Sequence, residues 1–171
     1  METSQDPIEF ILEEHDRQLE VCVRLEDLVS ASDSGPKVRW ASSLLEYLTK
    51  DLPIHIEDEE RDLFPLLASR QEHDQDLPVI LDQLISEHEL DRGLVEPIVE
   101  GLRHIAEGGD LADSGRFCMY VQTFTEAMRR HLNWENRVVL PLARRVLSEE
   151  DRALLRDGIA DRRRSLSPGG S

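Results

Sequence analysis

Basic residues are scarce in this chain. Lys and Arg number 20 against 36 Asp and Glu, a formal net charge of −16. Phosphate binding needs a basic surface, so nucleic acid is excluded as an expected partner. An anionic membrane surface is disfavoured for the same reason. Solubility and capture of cations suit such a surface better. Long apolar runs are also missing: none approaches the 18 residues that a membrane span needs. The start, METSQDPIEF, is acidic and lacks the apolar core of a signal peptide, so the cytoplasm is the expected location. Cysteine is limited to Cys22 and Cys118, in no metal-type spacing, and both are read as core thiols. Aromatics are sparse at 5%. No stretch alternates apolar and polar residues long enough for a strand.

What is present is helical periodicity. The 171 residues suit one domain with a real core. A first helix is expected from about Pro7 to Val29, followed by a loop, SASDSGP. The second starts near Pro36 and carries Leu44, Leu48, Leu52, Leu63 and Leu66, with Pro53 expected to kink or break it. The third runs from about Asp76 to Glu107, weakened by Gly93 and Pro97 and ended by Gly108-Gly109. The fourth runs from about Ser114 to Leu147. A short fifth, Glu149 to Arg162, has Ser148 as N-cap and three acidic residues in its first turn. The expectation is an all-α, up-down four-helix bundle over residues 1–162, with 163–171 a disordered tail.

Two segments match at fixed offsets. HIEDEERDLFPL begins at His55 and HLNWENRVVLPL at His131. Both read His, apolar, two variable positions, Glu, one variable, Arg, and end apolar-Pro-Leu. Upstream, His15 lies 40 residues before His55, and His88 lies 43 before His131. The chain is therefore two helix pairs, each offering one His on its first helix and His-x-x-x-Glu on its second. Residues four apart share a helix face, with Cβ atoms about 5–6 Å apart, so each His and Glu can reach one metal or neighbouring metals. Both Glu lie in the apolar stripe, where an ionised carboxylate is costly unless paired or metal-bound. Two bridging Glu and four terminal His would hold two ions roughly 3.5–4 Å apart. Imidazole with carboxylate suits iron, zinc or manganese alike.

This pattern, with its Phe-Pro or Leu-Pro after each motif, resembles the hemerythrin-like (HHE cation-binding) family over roughly residues 8–147. The resemblance implies a non-haem di-iron site, with oxide or hydroxide between the irons, that binds O2 or a related diatomic or peroxide ligand. It makes His15, His55, His88 and His131 terminal ligands, and Glu59 and Glu135 bridging carboxylates. Oxygen-carrying members have a further His where this chain has Arg92, and an Asp where it has Asn136. More open coordination follows, with Glu96 as an alternative donor. Sensing, storage or stress response is the first functional expectation. A di-metal oxidoreductase acting on peroxide or Fe(II), or an iron-handling protein, is the second. A metal-free interaction module is the third.

The remaining candidates have plainer readings. His73 and His104 are expected at the surface. Arg61 and Arg137, at one repeat position, read as surface ion-pair residues. Glu14 and Glu87 either orient an imidazole or are solvated, and the solvated reading is preferred. Trp134, Tyr47 and Tyr120 read as packing residues.

Overall fold

The computed structural model describes residues 6–30, 34–70, 76–109, 111 and 113–166. His73 lies outside them. Nearly all the described residues are helical, and none forms a strand. The first rod is α1 (Pro7–Ser30). The second joins α2 (Ser34–Glu46), α3 (Leu52–Asp58) and α4 (Phe64–Arg70). The third is α5 (Leu77–Ala106). The fourth joins α6 (Ser114–Trp134) and α7 (Leu140–Val146), and α8 (Glu149–Leu166) follows.

The second rod does not break at Pro53, as the sequence suggested. It passes through a π-turn, Tyr47–Asp51. Two more π-turns occupy Glu59–Leu63 and Glu135–Val139. Each closes on a residue whose amide donates five back: Leu52 to Tyr47, Phe64 to Glu59, Leu140 to Glu135. Each closing residue precedes a proline: Pro53, Pro65 or Pro141. A helical proline lacks an N–H, and its ring crowds the carbonyl four residues back. Widening the preceding turn removes that clash, and the helix continues. Gly93 and Pro97, read as weakening the third helix, do not interrupt it: α5 is unbroken.

The ends follow local chemistry. Gly108, at φ +80°, closes α5: its amide meets the Ile105 carbonyl and that of Gly109 meets His104. Asp113 caps α6 by accepting from the Arg116 amide at 2.8 Å. Ser148 and Asp151 exchange bonds at the start of α8, each side chain accepting from the other's amide.

The apolar residues form two cores, one towards each end of the bundle. One takes Leu25 and Leu28 of α1, Leu44 of α2, Leu102 of α5 and Phe117 of α6. The other takes Ile8 and Ile11 of α1, Leu63 and Leu67, Leu81 of α5 and Leu140 of α7. Successive rods thus enter the two cores in opposite order, which is the up-down arrangement. Each rod packs on the next, and the fourth closes on the first. Cys22 is buried in the first core, while Cys118 is only half-buried. Trp134, read as packing, is 49% exposed.

α8 covers the second core with Leu155 and Ile159. It also runs four residues past the expected end at Arg162, because its last turns are anchored. Asp58, fully buried, takes Arg162 Nε at 2.6 Å and an Arg163 guanidinium nitrogen at 2.7 Å. Arg162 also pairs with Asp62. A buried carboxylate stripped of its cations destabilises by about 3–5 kcal/mol. Replacing both arginines by alanine should therefore lower unfolding free energy at pH 7 by about 3 kcal/mol or more in urea titrations. A loss below about 1 kcal/mol, the scale of a surface pair, would contradict this anchoring.

Candidate metal centre

The boundary between the two cores is polar. His15 of α1, His55 and Glu59 of the second rod, His88 of α5, and His131 and Glu135 of the fourth rod meet there. None is more than 3% exposed. Each arrives on an amphipathic rod whose apolar residues continue to both sides, so the six are held at one depth.

They form two overlapping groups. His15, His55 and Glu59 make one; Glu59, His88, His131 and Glu135 make the other. Glu59 joins them: its Oε1 lies 3.2 Å from Nε2 of both His15 and His55, and its Oε2 lies 3.4 Å from His88 Nε2. Glu135 Oε2 also reaches both, at 3.4 Å from His15 Nε2 and 3.3 Å from His131 Nε2. Each carboxylate thus touches histidines of both groups.

The outer nitrogens explain how the rings are aimed. His88 Nδ1 donates to Glu60 at 2.8 Å, and His131 Nδ1 to Glu87 at 3.0 Å. His15 Nδ1 lies 2.6 Å from Asn136 Oδ1. Glu60 and Asn136 hold the same repeat position, directly after each clustered Glu and inside its π-turn. Each reaches the first helix of the opposite pair. Sequence reasoning missed this pattern, and it preferred a solvated Glu87 to one that orients an imidazole, whereas Glu87 orients His131 across the α5–α6 contact. Glu14, the counterpart of Glu87, does not repeat the contact: it lies 3.9 Å from Arg17, and His55 Nδ1 has no partner among the described residues.

The donor set calls for cations. A carboxylate only accepts, so the Nδ1 atoms of His88 and His131 carry hydrogen. Their Nε2 atoms, 3.0 Å apart, then face each other with lone pairs if both rings are neutral. Both oxygens of Glu135, and Oε2 of Glu59, are buried without a hydrogen-bond donor. A buried acceptor so placed is costly unless a cation meets it. The residues therefore fit a metal ion. Without one, protons substitute. Burial lowers the pKa of His131, but Glu135 and Glu59 more than offset this, and it is pushed up to about 10. Burial also lowers His15 and His88, and the same carboxylates raise both above the usual value. Burial raises the Glu59 pKa, but His55, His15 and His88 hold it well below the usual range.

Arg92, in the position of the further His, is 54% exposed and pairs with Glu60 at 3.3 Å. Glu96 is exposed and outside the cluster. Asp91 is a residue that sequence reasoning passed over. It is 5% exposed, one turn past His88, and burial raises its pKa to about 6. Its i+3 spacing from His88 was the available signal. His104 is exposed as expected, and Arg61 makes the expected surface pair with Glu57. Tyr47 is buried, with Arg17 over its ring.

Protonated imidazoles stabilise the metal-free fold, and metals need them neutral. A raised histidine pKa stabilises fully below the unfolded value of 6.5 and loses that contribution as pH climbs through the folded value, about 10 for His131. Metal-free protein should thus lose stability from pH 7 to 10, while metal affinity rises over that window. Calorimetry in buffers of different ionisation enthalpy should detect protons released on metal binding at pH 7. No release would contradict protonated rings. Glu87→Gln should weaken metal binding about 10–100-fold, the usual effect of losing a carboxylate behind a ligating imidazole.

Comparison with known proteins agrees with this geometry. An uncharacterized protein of Haemophilus influenzae is 27% identical over 161 residues, covering 80% of this chain and 93% of its own. The model of the hemerythrin HHE cation binding domain matches residues 6–143, which include all six clustered side chains. The chain is a metal-binding member of the hemerythrin HHE cation-binding family.

Proposed function

We propose that the chain is a non-haem di-iron protein that binds O2 or a related small ligand, serving sensing, storage or a stress response in the cytoplasm. The observation that carries this reading is the double contact of Glu59, one oxygen on the His15–His55 pair and the other on His88. A carboxylate so placed spans two cations. Glu59 and Glu135 lie within the centre, and Glu60 and Glu87 directly behind it. These four carboxylates match the charge of two divalent ions. Zinc or manganese suits the same donors, but iron, unlike zinc, adds reversible electron transfer to bound small molecules.

The protein's own groups define what the centre can do. The two carboxylates would hold the metal, and Glu60, Glu87 and Asn136 keep three imidazoles aimed inward. The two apolar cores exclude water from both sides. Four histidines and two carboxylates leave coordination open for an incoming ligand.

A second reading, a di-metal oxidoreductase acting on peroxide or Fe(II), draws on Arg92. This residue turns outward to Glu60 and leaves the position of a further histidine without a donor. Turnover of peroxide or Fe(II) clearly above that of Glu59→Ala would favour it.

Anaerobic Fe(II) loading should give about two metals per chain. Exposure to O2 should then produce new near-ultraviolet and visible bands, absent in Glu59→Ala. Fewer than about one metal per chain would contradict the proposal. A band that persists favours carriage or sensing, and one that decays quickly favours redox or iron handling.

A further inference from the structure

Beside the centre lies a cavity of about 340 Å³ between α1, the second rod, α5 and α6. His55, Glu59, His88 and His131 form one wall. The rest is mostly apolar, with Leu48, Leu52, Val95, Val99 and Met128 contributing. A diatomic ligand or peroxide needs roughly the room of one or two waters, and a water's share of liquid volume is about 30 Å³. The cavity is several times too large for that purpose. Its size falls at the lower end of pockets for small organic molecules, about 300–1,000 Å³.

A second observation concerns polarity. Gln18, one turn past His15 on α1, is 3% exposed and lines the same cavity. Its Nε2 is buried without a hydrogen-bond partner among the described residues. A buried amide donor left unmade is costly, so the position selects for an acceptor that arrives from outside. Apart from Glu59 and the three histidines of the centre, the charged groups around the cavity are Asp91 in the wall, and Glu57, Arg92 and Glu96 towards solvent. Their acidic balance opposes an anionic guest.

We propose that this cavity binds a small, uncharged, mainly apolar organic molecule with one carbonyl- or ether-type oxygen, which accepts from Gln18 Nε2. The hydrocarbon part lies against the apolar wall, within reach of the metal-facing histidines. The inference deepens the proposed function and rests on it for its meaning: the bound molecule is the substrate or effector of the centre.

Acetophenone, and ethylbenzene as its counterpart without an acceptor, serve as probes, titrated into zinc-loaded and metal-free protein by ligand-observed NMR. Zinc keeps the readout free of redox chemistry. Acetophenone should bind, and Gln18→Leu should weaken it about three- to ten-fold, the worth of one neutral hydrogen bond. Ethylbenzene should not weaken in that variant. Val95→Trp, which fills the cavity, should abolish binding of both probes. Absence of acetophenone binding, or affinity unchanged in Gln18→Leu, would overturn the proposal. Metal content measured on the same samples separates the two readings. Metal without acetophenone binding overturns the cavity alone. Gln18-dependent binding by protein that takes up no metal supports the cavity and overturns the centre.

Discussion

Burying an ionised carboxylate among hydrocarbon side chains is among the most expensive acts in folding, and here it is done twice at the same depth. Glu59 and Glu135 are each 1% exposed, and four imidazoles surround them. Their charge must be met by protons on those imidazoles or by metal ions. The two apolar cores can then be understood as the packing that keeps this polar layer dry and fixed. Lengthening either core would not remove the requirement for cations between them.

The layer has approximate two-fold symmetry, and the departures from it are informative. Glu60 and Asn136 hold equivalent positions and grip equivalent histidines, but one is anionic and the other neutral. His131 has Glu87 behind it, and His55 has no partner on its outer nitrogen. The His88–His131 side is therefore the more electronegative. A carboxylate behind an imidazole raises its basicity as a ligand, so two metal positions in this centre would be chemically unequal. The cavity adds to the asymmetry, since His15 and Glu135 do not line it.

Much of this was legible in the sequence for a physical reason. Amphipathic periodicity marked the rods, and polar residues recurring inside apolar stripes marked the layer. His15, His55, Glu59, His88, His131 and Glu135 all meet as their spacing suggested. The prolines were harder. Pro53 read as a kink or a break because α-helical geometry does not accommodate it, yet a π-turn does, and the same device follows Glu59 and Glu135. Contacts between rods were not legible. Glu87 sits beside His88 in sequence but serves His131, a pairing set by how α5 packs on α6. Asp58 gave no sign that it would anchor α8, because its partners lie about a hundred residues away.

A cation-requiring layer, opened on one side to an apolar cavity and sealed elsewhere by packing, is what ties fold to function here. The most direct test is anomalous diffraction at the iron edge from crystals of anaerobically iron-loaded protein. Two peaks are expected between Glu59 and Glu135, roughly 3.5–4 Å apart, each flanked by two of the four histidines. A single peak, or none within the layer, would contradict the account.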